Sequence, residues 1–187
     1  VAAKRAWLPY AEAQEVVDAL LAGRTHSRSL MAGLLGEGLL VEERYWDNAA
    51  RQHAPAIVIG YERLSDYLCV RAILEDALAA GDVRSAFERG GPLDLRALSE
   101  QWRSPGFHEA LHILVAEKTG KELLALVPGL TKLPQTSSAF LRSLVWRDPK
   151  AMTPEAVPHL LRLKDSRKTE VIETLITLAT IPRHPLN

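Results

Sequence analysis

Strand-forming patterns are confined to one short part of this chain, between two regions with helical patterns. β-Branched and aromatic residues predict one strand in Leu39–Trp46 and a second in Ala56–Tyr61. The polar stretch Asp47–Pro55 separates the two strands as a loop. Helices are predicted ahead of them at Pro9–Ala22 and from Ser27 to Leu35, with Ser27 as the N-cap. The order helix, helix, strand, loop, strand is that of a winged helix, in which the loop forms the wing.

The rest of the chain carries helical patterns only. A long helix is predicted at Glu62–Ala80, and its apolar residues surround most of its circumference, which is typical of a helix buried between neighbours. Thr153 is expected to cap a later helix, with Pro154 in its first turn. The further predicted helices are Val83–Arg89, Asp94–Gln101, Gly106–Ala125 (interrupted or ended near Gly120), Ser137–Trp146, Pro154–Leu163 and Ser166–Ala179. We therefore predict a mostly α-helical fold, with a winged helix and its short two-stranded wing at residues 1–80 and an α-helical bundle or solenoid-like array at residues 81–187.

The composition excludes several classes of protein. The 187 residues include 23 basic and 23 acidic side chains, and the resulting net charge of zero does not favour binding to nucleic acid or to an anionic membrane. Cys69 is the only cysteine, so an internal disulfide framework is excluded. The apolar runs are too short to span a bilayer, so no membrane association is expected.

One five-residue pattern suggests a metal site. His108-Glu109-Ala110-Leu111-His112 matches H-E-x-x-H, in which two histidines one helical turn apart bind zinc and the glutamate activates water. A third ligand is harder to identify, because Val115 and Lys118 stand where the metzincin pattern would continue. The nearest downstream carboxylates are Glu117 and Glu122. Two interpretations remain, a zinc hydrolase with His108 and His112 as ligands and an ordinary amphipathic helix.

Signals for binding a nucleotide or DNA are weak in the residues themselves. Gly120-Lys121-Glu122 is similar to the end of a P-loop, but Val115 stands where the first glycine is required, and Glu122 replaces the Ser or Thr that binds magnesium. The second helix carries one cation, Arg28, and the first strand carries Glu42 and Glu43, which would face phosphate unfavourably. Nucleic acid is therefore not an expected partner, and a DNA-binding winged-helix transcriptional regulator is kept as an alternative function.

Four segments, in the same order along the chain, carry a resemblance to a known family. Tyr61–Arg71 (YERLSDYLCVR) is similar to a "YERFSDHLIAR" stretch, and Leu34–Leu40 is similar to an "L-x-x-E-G-x-L" motif that precedes the wing strands. Gly106–Leu111, together with residues in Glu117–Leu123, resembles a helical stretch after the winged helix, and His184–Asn187 resembles an "HP-[FL]-N" motif. On these segments the chain resembles the bacterial STAND NTPases, in particular the Avs-like antiviral ATPases.

The resemblance implies that the chain is part of a longer protein. Members of this family carry an N-terminal effector, a P-loop NTPase core, a winged helix and then a long helical sensor array. The P-loop would then lie before Val1, and this chain, which begins without Met, would hold the winged helix and the start of the sensor array. No cofactor is expected in the fragment, whereas ATP or ADP with magnesium is expected in the full-length cytoplasmic ATPase.

The resemblance also implies a contact site. In such proteins the winged helix packs on the nucleotide module and helps to hold it inactive. The residues expected to contact that module are Tyr61, Glu62, Arg63, Ser65, Asp66 and Tyr67. Tyr67 stands where the family often has a histidine that, in related NTPases, approaches the nucleotide phosphates.

The implied function is regulatory and scaffolding, without enzyme activity in the fragment itself. The fragment would couple the nucleotide state of the NTPase module of the same chain to the sensing of a target protein, such as a phage protein, in antiphage defence. Homo-oligomers are expected to form on activation.

Overall fold

The computed structural model describes residues 7–21, 23, 29–47, 50–94 and 104–181. Its packing divides the chain into two units, Val1–Cys69 and Val70–Asn187. The division between the units falls inside the helix Glu62–Ala79, whereas the sequence predicts a domain boundary just after this helix, at 80/81. The domain boundary at 80/81 therefore stays a prediction. Four sequence-based expectations lie outside the described residues: the cap Ser27, the cation Arg28, nearly all of the helix at 94–101, and the segment 184–187.

The first unit is built on a three-stranded antiparallel sheet. Its strands are β1 (Trp7–Pro9), β2 (Leu40–Asp47) and β3 (Gln52–Ile59), in the spatial order β1-β3-β2. The hairpin of β2 and β3 confirms the predicted wing. β1 was not predicted, because it has only three residues and is held by pairing with β3 rather than by a pattern of its own.

The wing loop is shorter than predicted. The sequence places a loop over Asp47–Pro55, but β3 already begins at Gln52, which pairs with Asp47. The rings of Trp46 and His53 face each other across the hairpin, edge to face, with centroids 5.3 Å apart. Polar residues therefore continue the strand on an exposed part of the hairpin, where cross-strand pairing outweighs their low strand propensity.

Two helices pack on this sheet. α1 (Tyr10–Leu20) is close to the predicted range, while α2 (Leu30–Gly36) begins later than predicted. Its cap is Ser29, whose hydroxyl oxygen accepts a hydrogen bond from the amide of Ala32 at 3.1 Å. The core of the unit consists of Ala13, Met31 and Ile57, with Leu8, Tyr10, Val17, Leu35 and Leu40 packed around them.

A close backbone approach sets where the next helix, α3 (Glu62–Ala79), leaves the sheet. The amide of Gly60 donates to the carbonyl of Leu39 at 2.9 Å. A Cβ at position 60 would stand 2.3 Å from the carbonyl oxygen of Gly38 and 3.0 Å from a methyl of Val41. Only glycine fits between β3 and α3 without moving the backbone at the start of β2.

The prediction that α3 is buried on most of its circumference is wrong. Its buried residues are Val70, Ile73 and Leu74, all in the second half of the helix. Leu64 and Leu68, in the first half, are exposed. The apolar pattern of this helix therefore does not report burial over its whole length, and its N-terminal half presents apolar side chains to solvent.

The second unit begins within α3, and its described residues form helices, turns and loops but no strand. Its α-helices are α4 (Pro105–Thr119), α5 (Leu123–Leu126), α6 (Pro134–Trp146), α7 (Ala156–Leu163) and α8 (Lys168–Thr180), with 3-10 turns at Val83–Phe87, Pro128–Lys132 and Pro149–Ala151. α6 packs against both α4 and α8. This confirms the prediction of a mostly α-helical fold with a small wing-like sheet.

Helix ends in the second unit follow the sequence in one case and not in another. Gly120 ends α4 in the left-handed conformation, φ 67°, as its position predicts. The predicted cap of α7 is wrong: α7 begins at Ala156 after Glu155, and the side chain of Thr153 does not cap it. The Thr153 hydroxyl instead donates to a carboxylate oxygen of Glu122 at 2.6 Å, because that buried acid requires donors.

Gly60→Ala tests the close approach. We expect it to lower the free energy of unfolding by about 1–3 kcal/mol, since the added methyl meets backbone that cannot move alone. Gly33→Ala is the matched control: nothing lies within 4 Å of its Cβ and it is inside α2, so alanine should stabilise by up to about 1 kcal/mol. Urea unfolding of both variants measures this, and a neutral Gly60→Ala would contradict the interpretation.

Candidate functional site

The predicted contact site forms one continuous segment at the start of α3. Tyr61 immediately precedes the helix, and its carbonyl accepts a hydrogen bond from the amide of Ser65 at 2.9 Å. The outermost residues of the site are Tyr61, Glu62 and Arg63, which are exposed, whereas Ser65, Asp66 and Tyr67 are half-buried. The six residues thus lie in the first two turns of α3 or immediately before it, but they differ in their exposure to solvent.

An exposed apolar stripe begins in this segment, although the apolar pattern of α3 predicts that its leucines are buried. Tyr61, Leu64 and Leu68 are 58%, 43% and 40% exposed. Leu64 and Leu68 are four residues apart and therefore lie on one side of α3, and Tyr61 stands just before the helix, three residues ahead of Leu64. We call these three residues the α3 stripe. A row of large apolar side chains in solvent is typical of a protein-contact surface.

Cys69 follows the stripe and has the properties of a packing residue. Burial, and secondarily the nearby carboxylate of Asp66, raise the pKa of its thiol, while a hydrogen bond with Ser65 opposes the shift. A raised pKa disfavours the thiolate, which is the reactive form. Nothing in these surroundings activates Cys69 as a nucleophile.

The helix that would read DNA in a winged helix lacks the side chains to do so. α2 consists only of Leu, Met, Ala and Gly, so none of its side chains can donate or accept a hydrogen bond at a base edge. Next to it, Glu42 and Glu43 are exposed on β2, with one compensating cation, Arg44. These features disfavour direct readout and contact with phosphate.

The two histidines of the H-E-x-x-H pattern lie inside the second unit. His108 and His112 are 3% and 1% exposed on α4. The ring of His112 meets Phe140 edge to face at 5.7 Å, and the same ring of Phe140 meets His159 at 5.7 Å. His112 is therefore enclosed by aromatic and helical packing.

The carboxylates that could support a metal at this position have other partners. An oxygen of Glu109 lies 3.6 Å from Nε of Arg142. A carboxylate oxygen of Glu117 accepts from the amide of Asp148 at 3.0 Å, and Glu122 pairs with Arg147. Among the described residues, no group of three or more His, Cys, Asp or Glu side chains is arranged to hold a metal ion. The residues present therefore favour packing over metal binding on α4.

The environment of His112 strongly disfavours its charged form. Burial, followed by the charge of Arg147 and then by His108 and His159, lowers the pKa of His112 to about 3. The backbone of Thr136 opposes this shift, but neither ring nitrogen of His112 makes a hydrogen bond of normal geometry. His112 is thus a neutral core residue in the folded protein.

A buried ion pair, which the sequence did not indicate, lies beside these histidines. The guanidinium of Arg147 and the carboxylate of Glu122 are both 0% exposed and form two parallel hydrogen bonds, one of them 3.2 Å long. Arg147 also donates to the hydroxyl of Ser143 at 3.2 Å and to the carbonyl of His112 at 3.4 Å. The Thr153 hydroxyl completes the group at Glu122. We call these five residues the buried polar cluster.

The buried polar cluster left no local signal in the sequence. Its two charged residues are 25 positions apart, and each stands in an ordinary helix-end context. The segment Gly120-Lys121-Glu122 attracts notice only as a poor match to a P-loop. The one usable hint is Thr153 beside Pro154, which predicts a cap, although the hydroxyl is directed to Glu122 instead.

Comparisons with protein-family models, with curated proteins and with solved structures find no match to this chain in any of the three. The family resemblance therefore depends on the four sequence segments alone. Within the part of the chain that the structure describes, no helix combines the length and hydropathy that crossing a membrane requires.

The state of His112 predicts a loss of stability in acid. The unfolded chain takes up a proton on His112 below its ordinary pKa of about 6.5, whereas the folded chain does so only near 3. Stability should therefore fall by up to about 1.4 kcal/mol per pH unit between these values. His112→Leu removes no hydrogen bond of normal geometry but gives up the ring contact with Phe140, so its stability relative to the wild type should rise between pH 7.5 and pH 5 in urea unfolding. His53→Leu, at an exposed position of β3, is the control, and an equal rise in both variants would contradict this assignment.

The buried polar cluster predicts a strong effect of neutralising one charge. Glu122→Gln leaves Arg147 charged and buried, which should lower the free energy of unfolding by about 3–5 kcal/mol. Glu170→Gln is the matched control, because Glu170 pairs with Arg167 in a partly solvated position, where their side chains are 42% and 27% exposed, respectively. We expect this variant to lower the free energy of unfolding by no more than about 1 kcal/mol. Similar losses in the two variants, measured by urea unfolding at neutral pH, would show that burial is not the cause.

Proposed function

We propose that this chain is a regulatory and scaffolding part of a STAND-type signalling NTPase, in which the winged helix packs on protein. The observation that carries the proposal is the contrast between α2, which has no hydrogen-bonding side chain, and the α3 stripe, which presents three large apolar side chains to solvent. A surface for DNA needs the opposite distribution of polar and apolar groups.

The proposed partner of the α3 stripe is the NTPase module expected before Val1. Tyr61, Leu64 and Leu68 would supply the apolar contact, and the flanking side chains of Glu62 and Arg63 would form its polar rim. The resemblance to the family supports this choice of partner, because the matching segment Tyr61–Arg71 contains the whole stripe. The half-buried Tyr67 would act by packing behind the contact.

In this proposal the fragment is not itself the enzyme. ATP or ADP with magnesium would bind to the upstream module, and the full-length protein would hydrolyse ATP in the cytoplasm. The winged helix would hold the module inactive until the downstream helices sense a target protein, such as a phage protein in antiphage defence. Assembly into a homo-oligomer would follow release.

The first test is the coding sequence upstream of Val1, which should contain a P-loop. The second is binding of this chain to the separately expressed upstream module, measured by isothermal titration calorimetry with ADP present. Leu64→Asp and Leu68→Asp should each weaken binding about tenfold or more, since each removes a buried leucine from the contact. Leu161→Asp, an equally large change at a leucine that is 59% exposed on α7, should bind as the wild type does.

Two outcomes would overturn the proposal. One is a failure of either direct test: the absence of a P-loop upstream of Val1, which is sufficient by itself, or binding of the upstream module by both α3 variants as tight as that of the wild type. The other is saturable binding of a DNA duplex that weakens steeply as salt increases, which would favour the winged-helix transcriptional regulator.

A further inference from the structure

An open groove lies between α7 and α8 in the second unit. Its volume is about 630 Å³, and its apolar lining consists of Val157, Leu160, Leu161, Val171, Ile172 and Leu175. Four of these side chains are exposed: Leu161 at 59%, Ile172 at 45%, Leu175 at 44% and Val157 at 43%. The groove therefore presents a floor of branched aliphatic side chains to solvent, which is the lining that peptide-binding grooves use.

The sequence of α8 carries two stripes, of which one is covered. Val171, Thr174 and Leu178 are buried at helical spacing. Ile172, Leu175 and Ile176 form a second apolar stripe, and all three are exposed, Ile176 most of all at 60%. A helix that is apolar on two sides is normally packed on two sides. The second side of α8 faces the groove with Ile172 and Leu175.

The charges that line the groove are predominantly positive. Lys164, Asp165 and Lys168 contribute to its lining, which makes two cations and one anion. Neither lysine forms an ion pair within the described part of the chain. With two lysines and one aspartate the lining carries a net charge of +1, so it complements a partner that has an apolar ridge flanked mainly by carboxylates.

We propose that this groove binds an amphipathic α-helix of a protein partner, with aliphatic residues at i, i+3, i+4 and i+7 on the floor and acidic residues beside Lys164 and Lys168. α8 has 13 residues and is therefore about 20 Å long, so about three to four turns of a partner helix fit along it. This proposal goes beyond the proposed function and does not depend on an upstream NTPase module.

Two other occupants fit less well. A second copy of the chain would bring the lysines of one groove against those of another across a two-fold axis, and like charges repel there. An anionic lipid surface would match the lysines, but a bilayer is broad and flat, whereas the apolar side chains here line a concave groove between two helices. A single helix matches both the shape and the charge.

The test uses two fluorescein-labelled helical peptides of fourteen residues, both with the same leucine ridge, one flanked by glutamates and the other by lysines. Binding to the chain is measured by fluorescence anisotropy at low salt. The acidic peptide should bind at least tenfold more tightly than the basic one. Leu161→Asp and Ile172→Asp should each weaken its binding at least tenfold, while Leu20→Asp, at a leucine that is 72% exposed on α1, should leave it unchanged.

A variant with reversed charges at the edge of the groove provides the second part of the test. The double variant Lys164→Glu with Lys168→Glu should reverse the preference in favour of the basic peptide, and because both side chains are exposed, its thermal unfolding should match that of the wild type. Equal binding of the two peptides by the wild type, or no binding of either, would overturn the proposal. So would a dimer in sedimentation that Leu161→Asp dissociates, or binding to phosphatidylserine vesicles that Leu161→Asp abolishes.

Discussion

The second unit depends on how it accommodates two charges that have no access to water. Burying Glu122 and Arg147 is costly, and the cost is offset only when almost every donor and acceptor has a partner. The partners come from separate elements: the carbonyl of His112 on α4, the hydroxyl of Ser143 on α6 and the hydroxyl of Thr153 before α7. Satisfying one ion pair therefore requires three parts of the helical unit to meet at one place, which specifies their packing more narrowly than apolar contacts would. The Nε of Arg147 is buried without a partner in the described residues, so one donor of the buried ion pair stays unsatisfied.

In the first unit the comparable constraint is steric. The approach of Gly60 to the backbone of Gly38 determines where α3 begins relative to the sheet, and with it the direction of the α3 stripe. The same unit leaves α2 without any polar side chain. The first unit thus exposes apolar side chains on α3 and none with hydrogen-bonding groups on α2, a chemistry that differs from that of a surface built to read base edges.

How much of this could be predicted differs between the elements. The wing, the end of α4 at Gly120 and the extent of α1 follow from local patterns, because turn chemistry and hydrophobic periodicity act over a few residues. β1 escaped prediction because three residues carry no period, and the start of β3 was misplaced because polar residues lie in an exposed part of the hairpin. The candidate contact segment was identified by resemblance. The exposure of Leu64 and Leu68 could not be predicted, because an apolar residue gives the same sequence pattern whether it is buried or exposed.

By itself the sequence determined the class of fold, the position of the two wing strands between helices and the absence of a local nucleotide motif. Hydrophobic periodicity, helix caps and turn glycines depend on neighbouring residues, so they can be identified without knowledge of the rest of the chain. Only the tertiary structure decided which polar and apolar groups are enclosed. It buried His112 as a neutral core residue, directed the hydroxyl of Thr153 to Glu122 instead of to a helix cap, and left one apolar side of α8 in solvent. Burial is decided by residues distant in the chain, 25 positions apart in the case of Glu122 and Arg147, and no local pattern contains that information.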